Sequence, residues 1–280
     1  MRVTILGASG FIGQHLSAAL RARGDDVVEA SLRDPAAAAV ASAGSDVVVN
    51  LAGAPVAVRW TAAAKAAMWS SRVDASRDYL DALARIDPRP QAYVGGSAIG
   101  YYGTSGTATF TESSPPGEDF LAKLCVAWEA QADRAAALGL RVAKLRTGLV
   151  LGRGGGVLAK LLPIFRLGAG GVIASGKQWN SWIHIDDEVG IALHAIDGVE
   201  GVLNAAAPSP VTNADFTRAL GHAVGRPTIV PVPGFAAALM LGEGAFVLTE
   251  GQRVVPERTL ATGYVFRHPQ LAEALQSLVP

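Results

Sequence analysis

A short apolar run, Val3-Thr4-Ile5-Leu6, leads straight into Gly7-Ala8-Ser9-Gly10-Phe11-Ile12-Gly13, and that junction constrains the fold more than anything else in the chain. Beyond it Phe11, Ile12, Leu16, Ala19 and Leu20 recur at helical spacing until Gly24, so the local order is strand, glycine-rich turn, helix. Glycines at such a turn let the backbone come close to a bound group. The unpaired N–H groups and the dipole at the helix start favour an anion. The stretch therefore reads as a cradle for the pyrophosphate of a dinucleotide, made by Gly7, Ala8, Ser9, Gly10, Phe11, Ile12 and Gly13. An ordinary glycine turn is the plainer alternative.

The rest of the chain is long enough to surround such a cradle. It has 280 residues, half of them hydrophobic and 17% charged, which suits one large α/β domain or a dinucleotide domain with a smaller one attached. With 24 basic and 24 acidic residues the formal charge is zero, so nucleic acid and anionic membrane are not expected partners. The lone cysteine, Cys125, excludes an internal disulfide and fits a reducing, cytoplasmic setting. The first strand begins almost at Met1, so no signal peptide is expected. The most apolar later stretch, Phe235 to Leu248, is broken by Gly242, Glu243 and Gly244 and is too short to span a bilayer. His15, His184, His194, His222 and His268 are scattered without metal-ligand spacing, so no metal site is expected.

Strands and helices then alternate, the pattern of a doubly wound parallel sheet. Val27 to Ala30 is the second strand and Asp46 to Gly53 the third, followed by a helical segment from Thr61 to Leu83. Tyr93 to Ser97 is the next strand, Asp119 to Leu138 the next helix, and Arg141 to Leu151 a further strand. After Gly152 glycines cluster and the alternation weakens; Trp182 to Ile185 reads as a return strand with a helix cap at Asp186-Asp187. Residues 1–150 are expected to form the dinucleotide domain, rejoined by 181–206, with 151–180 and 207–280 building a smaller substrate lobe. Trp179, Trp182 and Gln252 are candidates for its lining.

The cofactor's second phosphate has its own signal. In NAD sites an acidic side chain at the end of the second strand holds the ribose hydroxyls. Here that position falls near Ser31, with Arg33 just beyond, and a guanidinium there suits the 2′-phosphate of NADP(H). Glu29 and Asp34 flank it as acidic alternatives. Leu51, Ala52 and Gly53 end the third strand, where small residues let the cofactor pass; Arg72 is a further candidate contact, and Thr147 closes a later strand facing the cofactor mouth.

The spacing Gly7-x-x-Gly10-x-x-Gly13 resembles the extended short-chain dehydrogenase/reductases. Adding Asn50 to Gly53, Arg59-Trp60-Thr61, Ser71-Arg72, Ser97 to Gly103, Asp119-Phe120-Leu121 with Trp128-Glu129, Arg146 to Gly152, Trp182 to Asp187, Pro208 to Asn213 and Glu250 to Val254, the chain is similar, over nearly its whole length, to the atypical, epimerase-like members of the NAD-dependent epimerase/dehydratase family. Their C-terminal part is a domain of unknown function. The resemblance implies a doubly wound parallel Rossmann sheet of the extended type with a smaller C-terminal substrate lobe, NADP(H) as cofactor, and by analogy a homodimer through two helices. It supplies no substrate.

The resemblance also says where chemistry belongs: a serine after the fourth strand, then Tyr-x-x-x-Lys on the next helix, with the tyrosine exchanging the proton. Ser97 matches the serine. Lys123 matches the lysine only if Asp119 stands for the tyrosine; aligned on Glu129, the two positions become Leu121 and Cys125. Tyr102, or Tyr101, is the nearest phenol that could serve instead, and packing is its plainer role. The catalytic set expected is thus Ser97, Tyr102 and Lys123. The leading expectation is an NADP(H)-dependent oxidoreductase acting on a small-molecule carbonyl or alcohol. A non-catalytic NADP(H)-binding redox sensor is its rival, and a sugar-nucleotide epimerase proper ranks third.

Overall fold

Val47 and Val49 face one side of their strand and Val48 the other, yet all are buried, as expected for a parallel strand covered by helices on both faces. In a computed structural model, which describes residues 1–279 apart from 236–238 and 240–241, that strand is β3 (Val47–Asn50) of a six-stranded sheet. Its companions are β1 (Arg2–Leu6), β2 (Asp26–Ala30), β4 (Ala92–Ala98), β6 (Arg141–Thr147) and β11 (Gly201–Ala205), in the order β11-β6-β4-β3-β1-β2, all parallel. The order reverses between β1 and β3, and the crevice beyond their C-terminal ends is where ligands bind in such sheets.

One face of the sheet packs on α1 (Phe11–Arg23) and α7 (Ile185–Ile196), burying Leu16, Leu20, Ile191 and Ala192. The other face packs on α2 (Pro35–Ala41), α4 (Ala75–Leu83) and α5 (Phe120–Ala137) through Ala38, Tyr79, Leu83 and Ala132. Local chemistry sets the ends. Gly24 takes φ 89° and returns its N–H to Leu20 and Arg21, the left-handed cap that glycine adopts at little expense. Asp119, weighed above as a base, caps α5 by accepting from Ala122 N at 2.9 Å.

Three expected elements are redrawn. The third strand stops at Asn50, and Leu51 to Gly53 are loop. The helical segment after Thr61 is α3 (Ala62–Trp69), a π-helical turn at Ser70–Asp74, and then α4. The single strand expected from Arg141 to Leu151 breaks at Gly148, because the chain changes partners there. Gly148 N donates to Ala205 O, Leu149 N donates to Ser181 O, and a Cβ on Gly148 would lie 2.6 Å from Ser181 O.

Past that break β7 (Leu149–Gly152) leaves the main sheet and joins β8 (Gly155–Gly156) and β10 (Trp182–His184) in a second sheet. The return to the main sheet is made by α7 and β11, not by Trp182 to Ile185. The short pairs β5 (Thr109–Phe110) with β13 (Arg253–Val254), and β9 (Trp179–Asn180) with β12 (Val211–Thr212), tie distant loops together. A separate core gathers Trp182, Leu158 and Phe165 of α6 (Leu158–Arg166), Phe216 of α8 (Asn213–Ala223) and the C-terminal helix Leu271–Leu278. Trp182 is thus core rather than pocket lining, its Nε1 donating to Ser209 O. No helix among the described residues is long and apolar enough to cross a membrane; part of the Phe235 to Leu248 stretch lies outside them.

Candidate functional site

The turn after β1 is built for close approach. Gly7 has φ 89°, Gly10 N donates to Gly7 O at 3.0 Å, and Gly10 opens α1 with no side-chain cap. The N–H groups of the first helical turn, from Phe11 onward, therefore keep no intrahelical partner. A Cβ on Gly13 would stand 2.3 Å from Gly7 O, and one on Gly7 would stand 2.9 Å from Ala52 N. The second contact sets Leu51, Ala52 and Gly53 directly beside the cradle, across the point where the strand order reverses. Phe11 turns away into the second sheet: a Cβ on Gly155 would lie 2.0 Å from its ring and one on Gly152 2.5 Å. That accounts for part of the glycine cluster after Leu151.

At the end of β2 the three charged candidates separate. Glu29 is paired with Arg21 at 2.6 Å. Asp34 caps α2, accepting from Ala37 N at 3.0 Å. Arg33 is exposed, and among the described residues no carboxylate engages its guanidinium. Among these three charged groups, only the guanidinium is left without a charged or capping partner among the described residues.

Asn50 shapes the floor. Its Nδ2 donates to Ser76 Oγ and Tyr93 OH, and its Oδ1 accepts from Ala52 N at 3.2 Å, bending the chain out of β3. Arg72, from the middle of the π-helical turn, lies against Gly53, where a Cβ would be 2.6 Å from Cζ, and over the Trp128 ring at 5.1 Å.

The expected catalytic trio is not brought together. Ser97, at the end of β4, donates to Glu129 Oε1 at 2.6 Å. Arg146, its register partner on β6, grips the same carboxylate through Nε at 2.8 Å and Nη2 at 2.9 Å. Arg146 also donates to Tyr102 OH, which in turn donates to Asn204 Oδ1 at 2.6 Å. Tyr102 is therefore buried with its hydroxyl engaged on both sides, and burial pushes its pKa up to about 12. Lys123 faces solvent on the outer side of α5. The residues facing Ser97 from α5 are those of the other register: Leu121 and Cys125 pack over Gly100, and burial, then Glu129, push the Cys125 thiol up to about 12. Lys123 thus stands apart from Ser97 and Tyr102, with which it was expected to act. An exposed lysine lies on the opposite face of the helix from Cys125.

Thr147 ends β6 with its hydroxyl donated to Glu188 Oε1 at 2.8 Å. Glu188 is fully buried on α7, its Oε2 has no partner, and burial raises its pKa to about 8, only partly offset by Thr147. The folded value lies above the unfolded value of about 4.5, so folding takes up a proton. The stability this group contributes is complete below about pH 4.5 and is lost as pH rises to about 8. Glu188→Gln should flatten that decline by about 1.4 kcal/mol for each unit of separation between the two values. Urea unfolding at about pH 5 and about pH 8 checks it; parallel losses in both proteins would refute the assignment.

The histidines are not all dispersed. His184 and His268 stack with ring centres 3.7 Å apart, and Asp186 Oδ2 lies 3.4 Å from His268 Nε2 and 3.6 Å from His184 Nδ1. Both nitrogens of His184 have partners already, however: Nδ1 accepts from Asp186 N to cap α7, and Nε2 meets Ser277 Oγ. The cluster is accounted for as a helix cap with a stacked, carboxylate-paired ring.

Sequence reasoning passed over Glu129, Asn204 and Glu188 as functional positions. Only Glu129 left a signal, as the anchor of the second helix register.

Comparison with known proteins follows the same lines. Residues 3–206 match the NAD dependent epimerase/dehydratase family, and residues 232–278 match a domain of unknown function (DUF1731). The chain is 42% identical over 295 residues to "Epimerase family protein SDR39U1" of Bos taurus, covering all of both chains. Among solved structures it is similar to the human SDR39U1 isoform 2 complex with NADPH: TM-score 0.92, 38% identity, covering 100% of this chain and 99% of that one. The Thermus thermophilus UDP-glucose 4-epimerase complex with NAD, at 20% identity and TM-score 0.82 over 100% of this chain and 98% of that one, shares the fold.

Proposed function

The chain belongs to the NAD dependent epimerase/dehydratase family, and from that premise we propose that it binds NADP(H) and acts as an oxidoreductase on a small-molecule carbonyl or secondary alcohol in the cytoplasm. The observation that carries the reading is the pairing of the Gly7–Gly13 cradle, which has no room for a side chain at Gly13, with an unengaged Arg33 at the end of β2. The open N–H groups of α1 hold the pyrophosphate, Arg33 the 2′-phosphate, and Leu51, Ala52 and Gly53 form the floor, with Thr147 at the β6 end. The nicotinamide, when bound, supplies or takes up hydride.

Ser97 does the orienting. Its proton is committed to Glu129, whose carboxylate the Arg146 guanidinium also grips, so its lone pairs are left to accept a hydrogen bond from a substrate hydroxyl. The bound complex of the human relative supports the cofactor choice. One observation favours a second reading: Leu121 and Cys125 stand where a phenol and an amine would supply and tune the proton, which suits a redox sensor that binds NADP(H) without turning over.

Calorimetry with NADPH and NADH tests the first step. NADPH should bind more tightly, and Arg33→Ala should erase about tenfold of that preference. Transfer of deuteride from labelled NADPH across a panel of carbonyl compounds tests the second. Tight NADPH binding with no transfer across the panel moves the reading to the sensor, and no NADPH binding overturns both.

A further inference from the structure

We propose that Tyr101, not Tyr102, is the acid that gives a proton to the carbonyl oxygen of the substrate. The inference rests on the oxidoreductase reading and adds the proton donor that α5 lacks, since Leu121 and Cys125 are what that helix sets over Gly100.

Of the five tyrosines, four have their hydroxyls engaged: Tyr79 with Ser42, Tyr93 with Asn50, Tyr102 with Arg146 and Asn204, and Tyr264 with Asp187. Tyr101 is the exception. Its hydroxyl makes no hydrogen bond among the described residues, and it is not sealed in either. Buried polar atoms without a partner are there confined to Ser17, Gln178 and Glu188. A phenol with a half-buried ring and an open hydroxyl can donate to a ligand and recover its proton from water.

Its position suits that task. Tyr101 lies on the 3₁₀ turn Ile99–Tyr102, which leaves the C-terminal end of β4 just past Ser97. Its carbonyl accepts from Gly117 N at 2.9 Å, which fixes the backbone. Its ring packs beside Tyr102, Ala206 and Val254, where the chain after β11 and the β13 strand meet the end of the main sheet.

Arg146 supplies the electrostatics. Its Nε and Nη2 grip Glu129 in the plane of the fork, which leaves its face free, and the guanidinium carbon lies 3.4 Å from the centre of the Tyr101 ring. A cation stacked on the ring favours the phenolate left when the proton departs. Ser97 donates to the same carboxylate, so one ion pair holds both the residue that orients the substrate and the phenol that protonates it. In the reducing direction the carbonyl carbon gains a hydrogen with two electrons from the reduced cofactor, and the π pair moves onto oxygen. The Tyr101 O–H bond breaks to give that oxygen its proton, and water restores the phenol. Oxidation of the alcohol runs the same transfers backwards.

The test uses the full chain labelled with carbon-13 at tyrosine Cζ. The Tyr101 signal, known by its loss in Tyr101→Phe, should move by different amounts on saturation with NADPH and with NADP⁺, because the nicotinamide ring is charged only in the oxidised form. The signal of Tyr79, held by Ser42 on the far side of the sheet, should answer neither. With any carbonyl compound that takes up deuteride from labelled NADPH, Tyr101→Phe should lose about 100-fold or more in kcat with KM little changed. Thermal melting confirms that the variant is folded. A Tyr101 signal that answers both cofactor forms alike, or Tyr101→Phe that transfers deuteride as fast as the natural protein, overturns this inference and leaves the oxidoreductase reading standing. No binding of NADPH, or no transfer by the natural protein, overturns that reading and this inference with it.

Discussion

Glu129→Ala should lower the unfolding free energy by about 3–5 kcal/mol and the Tm by about 10 °C, and it should do so without touching the cofactor cradle. The carboxylate is 6% exposed and receives three donors: Ser97 Oγ at 2.6 Å, Arg146 Nε at 2.8 Å and Arg146 Nη2 at 2.9 Å. Removing it leaves a guanidinium that is 3% exposed with no opposing charge, sandwiched against Tyr101 at 3.4 Å and near Tyr102 at 5.0 Å. The expense lies in the abandoned partner rather than in the lost bond. Replacing both members with apolar residues of similar size, Glu129→Leu with Arg146→Met, should therefore be milder than the single change. Urea and thermal unfolding of the two variants decide it. A double variant that falls as far as the single one would mean that the pair is not held together by mutual need.

The second large effect concerns ligand. Gly13→Ala should weaken NADPH binding by about 100-fold, about 3 kcal/mol, because the new methyl would stand 2.3 Å from Gly7 O and 2.8 Å from Ala8 Cα. Both neighbours are backbone, so the turn itself must move, and the N–H groups that face the pyrophosphate move with it. Gly24→Ala is the control. That glycine has φ 89°, unlike Gly13, but nothing lies within 4 Å of its missing Cβ. It should lose about 1 kcal/mol of stability from left-handed strain and keep its NADPH affinity. Calorimetry and melting on the same two proteins separate the effects. Equal NADPH affinity in Gly13→Ala and the natural chain would remove the cradle from the cofactor site.

The parts of this molecule that were legible in advance are those written in neighbouring residues. The β1 strand, the Gly7–Gly13 turn and α1 follow from alternation, glycine chemistry and helical spacing within two dozen positions. What could not be read depends on register between strands far apart in sequence. Ser97 and Arg146 become neighbours only through the β4–β6 pairing. Glu129 then joins them from a helix whose buried face is set by packing, which is why Lys123 and Cys125 were interchangeable on paper. The break at Gly148 was invisible for a similar reason: Leu149 and Val150 are as strand-like as what precedes them, and only the approach of Ser181 O forces the change of sheet. His184 and His268 met through the docking of the C-terminal segment, where Asp187 accepts the N–H groups of Arg267 and His268.

Phe11 gives the architecture a mechanical consequence. It is the first residue of α1, so its own N–H belongs to the cradle, while its ring is clasped by Gly152 and Gly155 of the second sheet. The cradle and the second sheet therefore meet at one side chain. A ligand that ordered one of them through this ring would order the other, and linkage requires such an effect to run both ways. Whatever factor substrate adds to cofactor affinity through this joint, cofactor returns to substrate. Trimming the ring, as in Phe11→Ala, would uncouple the two without removing a contact to either.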